Sequence, residues 1–181
     1  MPIGPTADVD FESVAAAYLD SAYNLARWLV RDPVVADDVV QDAMLRALKY
    51  FAGFRGENAR AWVLQIVRNV ALTRLTSDGS VRGAVPETTH VQLDAMAHSM
   101  ATDACHEPEA TLMREDDERL VQRLLHALPV DLRECLILRE LEELSYKEIA
   151  RIVDAPIGTV MSRLWRGRKL LAEAAAAVGQ V

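Results

Sequence analysis

No run of apolar residues in this chain approaches the ~18 that a membrane span needs, and the first residues, MPIGPTADVD, lack the pattern of a signal peptide. Cysteine is nearly absent. Cys105 and Cys135 are too few for a disulfide framework and are expected as reduced thiols of a cytoplasmic protein. His90, His98 and His106 lie near Cys105, but their spacing fits no zinc pattern, so no metal is expected. Neither a nucleophile–base pair nor a phosphate loop is present, which argues against an enzyme and gives no reason to expect a cofactor. No segment alternates with period two for long enough to read as a strand.

What the chain does have is helical periodicity and an uneven charge. At 181 residues and 51% hydrophobic content it can bury one ordinary core or two small ones. The net charge is −7, yet it is not spread evenly. Residues 1–76 carry 9 acids and 8 bases, net −1, and residues 77–114 carry 6 and 2, net −4. Residues 115–145 carry 9 and 4, net −5, while residues 146–181 carry 3 acids and 6 bases, net +3. A protein gripping phosphate along its whole surface would not be charged this way.

The first part reads as three helices. FESVAAAYLDSAYNLARWLV places Phe11, Val14, Tyr18, Ala22, Leu25 and Leu29 at steps of three and four. Asp32-Pro33 is a cap followed by proline at the first helical position, opening a helix striped by Val35, Val39, Ala43, Ala47 and Phe51. GFRGEN, with two glycines, is a loop. The third helix sets Trp62, Ile66 and Val70 inward and leaves Arg60, Gln65, Arg68 and Asn69 exposed. From Ser77 the stripe fails in a Ser-, Thr-, Gly-, Pro- and Asp-rich stretch too long for a loop inside a compact domain.

Periodicity resumes near Glu109 with Leu112, Leu120, Leu124 and Leu128, and stops at Pro129. Asp131 with Glu134 resembles a helix start, and Ser145 with Glu148 is a capping box. The tail, SYKEIARIVDAPIGTVMSRLWRGRKLL, reads as two short helices joined by a tight turn, the second rich in Arg and Lys. A helix is presented to the DNA major groove in this manner. The expected class is therefore all-α, with two small helical domains at 1–76 and 109–181 joined by a flexible acidic linker at 77–108.

These residues also carry a family resemblance. LPVDLRECLILRELEELSYKEIARIVDAPIGTVMSRLWRGRKLL is similar to region 4 of bacterial sigma factors of the extracytoplasmic-function class. ADDVVQDAMLRALKYFAGFRGENARAWVLQIVRN resembles region 2 of the same class, and the two stand in the family's order. Departures include Asp154 at a frequent glycine of the turn, Gly167 at a frequent alanine, and Met161 at a commonly basic or polar position. Thr73 and Thr76 stand where the family often has an Asp and a basic tail.

The resemblance implies a factor that joins core RNA polymerase through the β′ clamp helices and β flap, directs it to promoter DNA and helps open the duplex. It implies an anti-sigma factor as a further partner and no insertion in the membrane. Asp38, Gln41 and Asp42 share a helix face and match polymerase-binding positions of the family; the alternative is a solvated charged face. Arg55, Asn58, Arg60, Gln65 and Asn69 match the loop and helix that take an unstacked base of the −10 element. Trp62 is better read as core. Thr159, Ser162, Arg163, Arg166, Arg168 and Lys169 match the −35 reader, with Trp165 open between packing and DNA contact. The rival readings are a stand-alone helix-turn-helix regulator and a helical decoy that no longer initiates transcription.

Overall fold

The computed structural model describes residues 10–55, 58–77 and 111–178, all of them helices and short connections without strands. The linker expected at 77–108 lies almost wholly outside these residues, as do His90, His98, Cys105 and His106.

Local chemistry starts and stops each helix. Helix α1 (Phe11–Val30) opens on Asp10, whose carboxylate accepts the Ser13 amide at 2.6 Å. That bond holds the Asp10 pKa below its ordinary value. The helix ends at Arg31, which turns left-handed at φ 68°. Helix α2 (Pro33–Tyr50) begins as its sequence requires: Asp32 accepts the amides of Val34 and Val35 at 2.8 and 3.1 Å. A 3-10 turn (Phe51–Gly53) leads towards α3 (Ala59–Ser77), capped by the Asn58 side-chain Oδ1, which accepts the Ala61 amide at 3.0 Å.

The second half consists of α4 (Thr111–Ala127), α5 (Val130–Leu136), α6 (Tyr146–Val153) and α7 (Ile157–Val178). Helix α5 widens into a π-helical turn (Ile137–Leu141), in which Glu142 N–H reaches back to the Ile137 carbonyl. The Ser145–Glu148 capping box forms, and Asp154 takes φ 51° to end α6. Asp therefore supplies the left-handed residue that glycine often provides.

Two expectations about registry are corrected. Asp131 with Glu134 is no cap: α5 starts after Pro129 without a side-chain cap, and Glu134 is buried. In α3 the core face is Val63, Leu64, Val67, Val70 and Ala71, whereas Trp62 and Ile66 sit at its half-buried edge. The three-four stripe through Trp62 and that through Val63 differ by one position, and the more continuous apolar face lies inward.

Helices α1, α2 and α3 pack together around Leu25, Leu29, Val39, Ala43, Leu64 and Val67. Leu136, Leu138, Ile149, Ile152, Val160 and Leu164 fill the second group. Each Leu, Ile or Val among these contributes about 1.5–3 kcal/mol when fully buried. The two groups meet, α3 against α6 and α1 against α5, so one apolar cluster runs through both. At Gly167 α7 lies close against α5: a Cβ there would lie 2.8 Å from Leu136 Cδ1.

Candidate nucleic-acid and polymerase interface

Helix α2 turns Asp38 and Gln41 outward, and Asp42 is already held by Arg46, one turn on, at 3.0 and 3.3 Å. The same stripe continues into Leu45 and Leu48, which are 67% and 55% exposed. Sequence reading missed these two because their steps of three and four look like core spacing. Exposed leucines beside acids and an amide make this face of α2 amphipathic.

Around α3 three of the expected DNA residues, Asn58, Arg60 and Gln65, are already engaged. Asn58, at φ 49°, uses its oxygen as the α3 cap and donates its amide nitrogen to Glu148 Oε1 at 3.0 Å. Arg60 donates to Glu142 Oε2 at 2.5 Å and to Ser21 Oγ at 3.3 Å. Gln65 donates to the Arg151 carbonyl at 3.3 Å. Arg68 gives Glu134 two hydrogen bonds, at 2.7 and 3.0 Å. Arg60, Gln65 and Arg68 are thus half-buried rather than exposed, because the second helical group covers them; Arg55 and Asn69 remain open. Phe54 stacks on Trp62 at 4.7 Å between centroids, with Phe51 at 6.3 Å from the same indole, so Trp62 belongs to an aromatic cluster on the bundle's edge.

The buried carboxylate of Glu134 sits between two guanidinium groups. Burial raises its pKa, while Arg68 and Arg163 pull the other way. Glu148 is held below its ordinary value by its hydrogen bonds to Ser145 and Asn58. At the other contact, Arg133 donates to the carbonyls of Leu29 and His126 at 3.2 and 3.1 Å, and Arg31 also donates to the His126 carbonyl. Burial, with Arg133, Arg31 and Arg27 nearby, pulls the His126 pKa to about 4. Burial also brings Arg133 down to about 10 and pushes the Cys135 thiol up to about 12. Cys135 is thereby an inert core residue.

The basic helix α7 divides its side chains. Val160 and Leu164 are buried, Leu171 is half-buried, and Ser162, Arg166, Arg168 and Lys169 are exposed, with Thr159 at the edge. Arg163 turns inward, 3.5 Å from Asp131 and 3.6 Å from Glu134. Arg168 is held by Glu140 at 2.6 and 3.1 Å. Trp165 is 63% exposed, with the Lys169 ammonium 5.5 Å from its ring, and Met161 is 53% exposed. Both lie in the open groove that also includes Tyr146, Leu164 and Arg168. Among the described residues no helix is long and apolar enough to cross a membrane.

Comparison with known proteins agrees with both halves. Residues 14–81 match the family model for sigma-70 region 2, and residues 118–171 match that for sigma-70 region 4. The chain is 36% identical over 150 residues to the ECF RNA polymerase sigma-E factor of Haemophilus influenzae, covering 81% of this chain and 77% of that one. It is 32% identical over 165 residues to the RNA polymerase sigma-H factor of Pseudomonas aeruginosa, covering 91% and 85%. Among solved structures, the sigma factor RpoE from Bartonella quintana, in complex with the anti-sigma factor NepR, superposes with a TM-score of 0.69 at 25% identity, covering 92% of this chain and 97% of that one. CnrH in complex with the cytosolic domain of CnrY shares the fold, with a TM-score of 0.65 at 21% identity over 92% and 88%. Two family models in order, and relatives matched over most of their length, place this chain in the sigma-70 family, as a member of the extracytoplasmic-function class.

Proposed function

We propose that this chain binds core RNA polymerase and directs promoter recognition, DNA opening and transcription initiation, catalysing nothing itself. The observation that carries the reading is the pairing of an amphipathic, acid-bearing face on α2 with an exposed basic helix α7 behind a tight turn, in a chain whose only net positive segment is residues 146–181. Asp38, Gln41 and Asp42, extended by Leu45 and Leu48, serve as the surface for the polymerase β′ clamp helices, and the second unit contacts the β flap. Residues 1–76 then act as the polymerase and −10 unit, 77–108 as the linker and 109–181 as the −35 unit, in the cytoplasm.

Arg55, Asn58, Arg60, Gln65 and Asn69 take the −10 strand, where single-stranded bases are held by polar groups and stacking. Thr159, Ser162, Arg166 and Lys169 face the −35 major groove; Arg163 and Arg168 join them by exchanging their carboxylate partners for DNA. An anti-sigma factor as regulator is supported by the fold shared with the sigma factor RpoE, solved in complex with the anti-sigma factor NepR. The acidic remainder limits phosphate contacts by the free protein, so the polymerase must supply much of the grip.

In vitro transcription with core polymerase, on the promoter upstream of the protein's own gene, tests the reading. Permanganate footprinting is expected to show opening near the start site only with the holoenzyme, and mobility shifts are expected to show weak binding by the free chain. Tight, specific binding by the free chain without polymerase-dependent opening would establish an autonomous regulator instead.

A further inference from the structure

Residues 157–172 of α7 carry four bases and no acid, yet part of their outward surface is apolar. Ile157, Met161 and Trp165 follow one another at steps of four and are 45%, 53% and 63% exposed. Val160 and Leu164 carry the buried face of the same helix, so this ridge is additional to the core. Exposed Arg168 and Lys169 flank it, and both line the open groove beside Met161 and Trp165. The Lys169 ammonium lies 5.5 Å from the Trp165 ring. Large apolar groups held in water in one row gain by being covered. Charge selects what covers them. Duplex DNA satisfies both parts of this surface, with phosphates for the bases and, in its major groove, one apolar group, the thymine 5-methyl.

We propose that Met161 and Trp165 are specificity-determining residues, which read thymine 5-methyl groups in the −35 major groove by apolar contact. This rests on the proposed reading of α7 as the −35 helix. A helix lying in the groove reaches base edges with its N-terminal residues, and Met161 and Trp165 stand in the second and third turns of α7. Four residues span about 6 Å along a helix axis, close to two base-pair steps of about 3.4 Å. The two side chains therefore meet different thymines. Neither can give guanine the paired hydrogen bonds of an arginine, so each discriminates by shape and by loss of water from the methyl. Ser162, Arg166 and Lys169, exposed alongside, supply the polar and phosphate contacts.

The test uses holoenzyme reconstituted from the full chain and core polymerase, on the promoter upstream of the protein's own gene. Each thymine of the −35 region, on either strand, is replaced in turn by deoxyuridine, which lacks only the 5-methyl group. Footprint titration reads the affinity. Two replacements are expected to weaken binding about fourfold each, the value of one buried methyl. Met161→Gln should abolish the effect of one replacement and Trp165→Ala that of the other; both positions are exposed, so the core is left intact. Lys169→Gln should instead weaken thymine and deoxyuridine duplexes equally and reduce the salt dependence. Equal affinity of the unchanged protein for every duplex, or full discrimination retained in both variants, overturns the proposal. So does loss of transcription in Met161→Gln/Trp165→Ala with −35 affinity and discrimination unchanged, which would assign the ridge to a protein partner. If the holoenzyme does not occupy the promoter, the −35 reading fails. The same thymine and deoxyuridine comparison, on duplexes that the free full chain selects from a random pool, then still decides whether the ridge reads methyl groups.

Discussion

Arg68 and Glu134 stand 66 positions apart and meet through two hydrogen bonds across the junction, with Glu134 almost wholly buried. Removing the guanidinium leaves a buried carboxylate without its main partner. Arg68→Met is therefore expected to lose about 3–5 kcal/mol at neutral pH. Burial already raises the Glu134 pKa, and the variant raises it further. A carboxyl with a raised folded-state pKa binds its proton more tightly when folded, so its stabilising effect is present at low pH and lost as pH rises through that pKa. Urea denaturation should show the deficit of Arg68→Met shrinking as pH falls below neutrality.

His126 titrates in the opposite sense. Its pKa is pulled from 6.5 to about 4, so the folded chain favours the neutral ring. The stability this confers is present above 6.5 and is lost as pH falls towards 4. Because the ring is partly exposed, solvent screening reduces the effect to about 1–2 kcal/mol. His126→Gln should flatten the decline in denaturation midpoint between neutral and mildly acidic pH. An unchanged decline would assign the acid sensitivity to other groups.

Arg163 and Arg166 are three positions apart on α7 but should fail differently. Arg163 faces Asp131 and Glu134, whereas Arg166 is exposed. Arg163→Ala is expected to lower thermal stability by several degrees, for a loss of about 1–2 kcal/mol. Arg166→Ala should leave stability unchanged and weaken holoenzyme binding at the −35 element by about 1–3 kcal/mol if it makes a bidentate base contact. Melting curves and footprint titrations of both variants separate the two roles.

Gly167 is a packing requirement. Alanine there gains about 1 kcal/mol of helix propensity. Its Cβ would meet Leu136 Cδ1 at 2.8 Å, and Leu136 is only 2% exposed. Overpacking of this kind costs about 1–3 kcal/mol, so Gly167→Ala should be destabilising overall. In a Leu136→Ala background the same change should become stabilising. Additive behaviour in that double-mutant cycle would show that the close approach does not govern the site.

Features set by neighbours in sequence were legible. Asp32-Pro33, the Ser145–Glu148 box and the turn at Asp154 each depend on residues a few positions apart, and each formed as read. Apolar periodicity located the helices but misassigned the α3 face by one position, since Trp62 and Val63 both continue an apolar stripe. Asp131 and Glu134 imitated a cap because acids early in a helix also serve ion pairs. The engagement of Arg60, Arg68 and Asn58 could not be read from one sequence, because their carboxylate partners lie 82, 66 and 90 positions away. The basic residues of α7 were legible as a group, but only packing distinguishes the inward Arg163 from the outward Arg166.

With α3 read as the −10 surface proposed above, the contacts of Arg60, and of Arg68 beside it, tie two heritable properties to one helix face. A substitution there that changed preference for a −10 sequence would also alter how firmly the two helical groups hold together. Promoter choice and the hold between the two groups would therefore drift together, and a compensating change would fall on Glu134 or Glu142 rather than on a neighbouring DNA residue. Among relatives, exchanges at these paired positions should arise jointly, leaving a correlated trace across 66 and 82 positions of chain.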